Sequence, residues 1–161
     1  MVVAKTLEAH TILVDQLQKR TVGRTYEAIV IGVITSGGTI DAPISRHGTQ
    51  RQRMAVSQGG KPAVSHYRVL ERFRSHTHVR VKLETGRTHQ IRVHMTHIGY
   101  PLVGDPVYAG RFRIPPAASP TLVESLKTFP RQALHARFLE LEHPVTGKRM
   151  KWESPLPEDF V

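Results

Sequence analysis

No cysteine occurs in the 161 residues. Its absence excludes disulfide staples, thiolate nucleophiles and cysteine-ligated zinc together, and agrees with a reducing compartment. Long apolar runs are missing too: the longest, AIVIGVI from Ala28 to Ile34, falls far short of the ~20 residues that a membrane helix needs. It is expected as a buried strand, and no membrane association is expected. The opening MVVAKTLEAH has too short an apolar segment for a signal peptide, so a cytoplasmic location is the expectation. Acidic residues are scarce, with 13 Asp+Glu against 23 Lys+Arg and a formal net charge of +10. Such an excess favours a polyanionic partner, because neutralising phosphates releases counterions and supplies much of any nucleic-acid affinity.

What is present is enough for one domain with a real core. LEAHTILVDQLQK, Leu7 to Lys19, carries Leu7, Ile12 and Leu17 with Leu13 and Val14 between them, and reads as a short amphipathic helix. RTYEAIVIGVI, Arg24 to Ile34, is β-branched and runs into the turn signal SGGT. Residues 41 to 62 hold Pro43, Gly48, Gly59, Gly60 and Pro62 among Arg46, Arg51, Arg53 and Lys61, a basic, loop-rich hairpin suited to a phosphate backbone or to solvent. AVSHYRVLERF and HVRVKLE alternate as half-buried antiparallel strands. A short helix is expected from Ser119 onward, and Ala133 to Pro155 reads as a closing hairpin turned at VTGK. The expected fold is α+β, with a mixed, mainly antiparallel sheet and a few helices.

Between the HVRVKLE strand and the Ser119 helix lies LETGRTHQIRVHM, Leu83 to Met95. Ile91, Met95 and Ile98 fall on one helical face, Thr88 is the expected N-cap, and Gly86 is the expected sharp turn. Arg92 borders the apolar face beside His89. Buried, its guanidinium needs a carboxylate or phosphate; exposed, it snorkels. His89, His94 and His97 lack an HExxH pattern and carboxylates on the same helix, so a metal is not expected.

LETGRTHQIRVHM followed by HIGYPLVGDPVYAG closely resembles the signature of the RluA-type pseudouridine synthases, which convert uridine in RNA to its C-glycoside isomer. RTYEAIVIG, GGTIDAPISRH, MAVSQGGKPAVSHYRVLERF and RQALHARFLELEHPVTGKRMKWESPLP resemble, in the same order, segments of the D-type subgroup acting on large-subunit (23S) ribosomal RNA. The resemblance implies that fold, RNA as partner, and base flipping without a cofactor. It implies catalytic roles for Tyr26, which stacks on the flipped base, and for Arg92, which pairs with the catalytic aspartate. Ile91 matches the aliphatic residue beneath the base; Arg87, His89, Arg46 and Arg51 are candidate substrate contacts.

The aspartate of the family's HRLDxxTSG motif is not found here. Asp15, Asp41, Asp105 and Asp159 all lie in the wrong context. Residues 1–161 are therefore expected to be the C-terminal portion of a single catalytic domain, without the S4-type domain usual in the subgroup and inactive alone. Arg92 is expected to await an aspartate that the chain lacks, and dimerisation or aggregation is expected through a strand edge left open. Two other readings are a non-enzymatic RNA-binding or ribosome-assembly module, and a metal-free nuclease using His89 and His94 as acid and base.

Overall fold

The computed structural model describes residues 2–160. The chain runs α1 (Leu7–Gln18), β1 (Gly23–Ile31), β2 (Gly38–Asp41), β3 (Ile44–Arg46), β4 (Met54–Val56), β5 (Val64–Arg72), β6 (His76–Leu83), α2 (Gln90–His97), α3 (Pro120–Thr128), β7 (Leu134–Glu142) and β8 (Arg149–Glu153), and ends in a 3-10 turn at Glu158–Phe160. Six strands form one sheet in the order β2-β5-β6-β1-β7-β8, every pairing antiparallel, while β3 and β4 make a separate hairpin. The expected α+β class and antiparallel sheet are both found.

Alternation along the central strands divides the core in two. Tyr26, Ala28 and Val30 of β1 share a face with Val79, Val81 and Leu83 of β6, held in register by the pairs Tyr26↔Val81 and Ala28↔Val79. Ile91 and Met95 of α2 close that face. On the opposite face Ile29 packs with Val103, Ala133, Leu126 and Phe160, so α3 and the C-terminal turn cover the sheet there. Glu27, 2% exposed, also points that way and meets Arg80 at 2.6 Å and His78 at 2.9 Å.

β1 stops at Ile31 rather than running to Ile34. Gly32 has φ +102°, and the ring of Tyr100 lies so close that a Cβ would sit 2.9 Å from it. The strand turns there because only glycine fits both demands. The later elements follow the sequence reading: Ser119 caps α3 by accepting the Leu122 N–H at 3.2 Å, and the β7–β8 hairpin turns through Gly147 at φ +66°.

α1 differs from its expected packing. Leu7 is 82% exposed, and the buried side chain is Gln16. Its amide nitrogen donates to the Glu142 carbonyl at 2.8 Å while its oxygen accepts the Glu142 N–H at 3.0 Å. This two-way clamp fastens α1 to β7, so the helix spans the sheet face instead of sinking into it. A cavity of about 740 Å³ remains beneath, lined by Leu13, Val14, Arg24, Tyr26 and Trp152 among others.

Candidate active site

The turn between β6 and α2 is built by side chains within it. Thr88 is not the N-cap; His89 is, at φ +57° and with no side-chain capping bond. Histidine is among the residues that tolerate this left-handed conformation. Gln90 does the fastening: its oxygen accepts the Thr85 hydroxyl at 2.8 Å and the Arg87 N–H at 2.9 Å, and its nitrogen donates to the Val64 carbonyl and to Ser65 Oγ, each at 3.0 Å. Gly86 serves a close approach, not a positive φ. The guanidinium of Arg24 lies against it, in the space that a Cβ would need. Nε of Arg24 is buried there without a hydrogen-bond partner.

Arg92, 9% exposed, is not waiting for a partner. Its Nε donates to Asp105 Oδ2 at 2.7 Å and its Nη2 to Oδ1 at 2.8 Å. Asp105 also accepts the N–H groups of Val107 at 2.9 Å and Tyr108 at 3.1 Å, the local pattern in which an Asp side chain closes its own turn. Burial alone would push the Asp105 carboxyl up; the bonds from Arg92, Val107 and Tyr108 outweigh it and hold the group below the usual carboxylate range. The same hydrogen bond raises Arg92 above its ordinary value, against the effect of burial. None of this gives Asp105 the context of the family's motif; what the sequence reading does not foresee is that Asp105 supplies Arg92 with a partner inside the chain. The loop after α2 folds back over the helix, a tertiary contact that local context does not reveal. The fork leaves Nη1 outside this pair.

Tyr108 fastens a second layer onto Arg92. The Arg92 guanidinium stands 4.9 Å from its ring centroid and that of Arg53 5.3 Å. Its hydroxyl accepts the Met54 N–H at 2.9 Å and hydrogen-bonds His89 Nδ1 at 3.0 Å. The β3–β4 hairpin, which carries Arg46 and the exposed Arg51, is thereby docked beside Arg92. His89 is held below the ordinary histidine value, chiefly by burial and then by Arg92, with Asp105 opposing.

His94 has no exposed surface. Its Nε2 donates to the Ala42 carbonyl at 2.9 Å, which leaves Nδ1 to accept from Ser65 Oγ at 2.9 Å, and burial pushes its pKa down. A sealed imidazole with both nitrogens engaged has no access to substrate, which removes the His89–His94 nuclease reading.

Tyr26 is half-buried and packs on the cluster that contains Ile91, itself 4% exposed, so these two come together on one sheet face. Arg92 follows Ile91 on the other side of α2's apolar stripe and does not line the cavity that Tyr26 and Arg24 share. Arg87 donates through Nε to the Pro62 carbonyl at 2.9 Å. Sequence reasoning missed Asp105, Tyr108, Arg24 and Gln90. The D-P-V-Y spacing, which suits an aspartate closing its own turn, could have found Asp105 and Tyr108; Arg24 and Gln90 gave no such signal. Chemically, the arrangement offers an aromatic ring for stacking and a preoriented guanidinium with donors to spare for a second anion.

A family model described as RNA pseudouridylate synthase matches residues 1–97. Ribosomal large subunit pseudouridine synthase D of Pseudomonas aeruginosa is 83% identical over 161 residues, covering 100% of this chain and 50% of that protein. The protein of the same name from Escherichia coli K12 is 60% identical, again over the whole chain and 49% of its own length. The chain thus spans about half the length of the curated relatives it matches. Among solved structures, human RNA pseudouridylate synthase domain containing 4 superposes with a TM-score of 0.77 at 27% identity, over 99% of this chain and 67% of that one. Human RNA pseudouridylate synthase domain containing 1 gives 0.74 at 29% identity, over 96% and 62%.

Proposed function

Because this chain belongs to the RNA pseudouridylate synthase family, we propose that it supplies the Tyr26 and Arg92 half of a site that isomerises uridine to pseudouridine in large-subunit ribosomal RNA. The observation that carries the reading is the Arg92 fork. Asp105 and Tyr108 fix the guanidinium on a buried helix while Nη1 stays outside the pair. Such a group orients a second carboxylate and keeps it ionised. The names of the relatives point to the same RNA class.

In this reading the target base leaves its stack and Tyr26 replaces the lost stacking, worth ~1–3 kcal/mol. Ile91 supports the base from below. Arg46, Arg51, Arg87 and His89 contact the surrounding RNA. The N1–C1′ glycosidic bond breaks, a C5–C1′ bond forms, the C5 proton goes to solvent and N1 gains a proton; no cofactor enters that balance. The acting carboxylate comes from outside these 161 residues, since Asp105 is committed to Arg92. Asp15 pairs with Lys19 at 2.8 Å on α1, Asp159 pairs with Arg131 at 2.7 Å, and Asp41 sits at the exposed end of β2. Residues 1–161 then belong to one catalytic domain and are inactive alone, in a cytoplasmic enzyme. Self-association through an edge strand, β2 or β8, is the accompanying expectation, and a monomer by size-exclusion chromatography excludes it.

The test is tritium release from ribosomal RNA labelled at uridine C5. This chain is compared with the same chain joined to an upstream segment bearing the family's aspartate motif. Release by the joined form alone, abolished by Arg92→Ala, is the expected result. Salt-sensitive RNA binding with release by neither form favours the non-enzymatic RNA-binding module instead.

A further inference from the structure

A second concavity, of about 910 Å³, lies under the long loop that follows α2, against the end of β1, the β5–β6 turn and α3. Of the Tyr26 and Arg92 half-site, only Asp105 reaches it. Four exposed cations line it: Arg74, Arg111, Arg113 and Lys127. None of the four forms an ion pair among the described residues. Arg74 donates only to a neutral carbonyl, that of Ala117, at 3.2 Å. The single carboxylate in the lining is Asp105, already neutralised by Arg92. The cleft is therefore a concave surface of uncompensated positive charge, where field lines concentrate.

It is also apolar. Phe112 is 47% exposed and Ile114 63%, while Ile31 and Val33 across the cleft are 40% and 41% exposed. Four large apolar side chains open to water in one basic concavity suit an occupant that presents both negative charge and flat apolar faces. Single-stranded RNA does so. A duplex buries its base faces and offers Phe112 nothing to stack on, and an acidic peptide offers charge without rings.

We propose that this cleft docks a single-stranded RNA segment flanking the target uridine, with Phe112 stacking on a base and Arg111 and Arg113 contacting phosphates. The inference rests on the synthase reading for its direction: Asp105 belongs to both sites, so a strand leaving Arg92 runs into the cleft.

Fluorescence anisotropy of a labelled dodecauridine with the full chain, titrated at several salt concentrations, tests it. Phe112→Ala should weaken binding about tenfold and leave the salt slope unchanged. Arg111→Ala/Arg113→Ala should lower the slope by about 1.4, near 0.7 for each phosphate that is no longer neutralised. Both substitutions lie on an exposed loop, so folding is not at stake. A Phe112→Ala chain that binds dodecauridine like the wild type overturns the proposal while leaving the synthase reading intact. So does an equal loss of affinity for duplex RNA or polyglutamate, which would reduce the cleft to a non-specific basic patch. A wild-type chain that binds no dodecauridine also overturns the proposal, while tritium release by the joined form still decides the synthase reading.

Discussion

Two helices rest on the same sheet face and are treated in opposite ways. In α2, six of eight residues are buried, from Gln90 to Met95; in α1, of twelve residues, only Gln16 is. α2 fills its share of the core with Ile91 and Met95 and ties off its polar groups through Gln90, His94 and the Arg92–Asp105 fork. α1 leaves a cavity beneath it and hangs on the Gln16 clamp. The difference separates two requirements of the proposed catalytic wall. A guanidinium that must present donors at a fixed angle sits on the element whose neighbours lock it. Tyr26, which in the proposed function meets an incoming base, sits under the element that gives way at least cost.

The largest expected effect breaks the α2 side. Asp105→Ala leaves a buried guanidinium unpaired and should cost roughly 3–5 kcal/mol, seen calorimetrically as a fall of about 10 °C in Tm. Met95, with no exposed surface, comes next: Met95→Ala should cost about 2–5 kcal/mol by denaturant unfolding.

Acid attacks the same wall. Burial holds the folded-state pKa of His94 below the ordinary 6.5, so the unfolded chain takes up the proton first. Its contribution is complete above the unfolded value and is lost as pH falls through the folded one. Asp105, also depressed, repeats the pattern below the ordinary carboxylate value. Stability should therefore decline as pH falls below 6.5, and His94→Gln should flatten the first part of that decline in a series of melts.

The α1 side should respond weakly. Gln16→Ala removes both clamp bonds and should cost about 1–3 kcal/mol. Leu7→Ala, at a side chain 82% exposed, should change stability by no more than about 0.5 kcal/mol. A large effect of Leu7→Ala would mean that α1 is packed as tightly as α2 and would end the comparison.

The strands were legible because their alternation is strong and local. Ala28 and Val30, Val79 and Val81 announce a sheet face without reference to anything distant. The helix at Ser119 and the turn at VTGK were legible for the same reason, being capping and glycine signals a few residues long. What sequence reasoning missed was decided across the fold. Leu7 looked like a core residue because periodicity does not reveal that α1 meets the sheet through Gln16. Thr88 looked like a cap because the Gln90 network spans three segments. Gly86 was read as a sharp turn, but its reason is the guanidinium of Arg24, brought over from β1. For the site, Tyr26, Ile91 and Arg92 stood out through motif resemblance, whereas Asp105 lies thirteen residues beyond Arg92 and meets it only after the loop returns.

Hydrogen exchange of backbone amides tests the contrast between the two helices most directly. The amides of Val93 to Ile98 should exchange only through global unfolding, while those of α1 should exchange at least about 100-fold faster through local opening. Equal protection of the two helices would contradict the account.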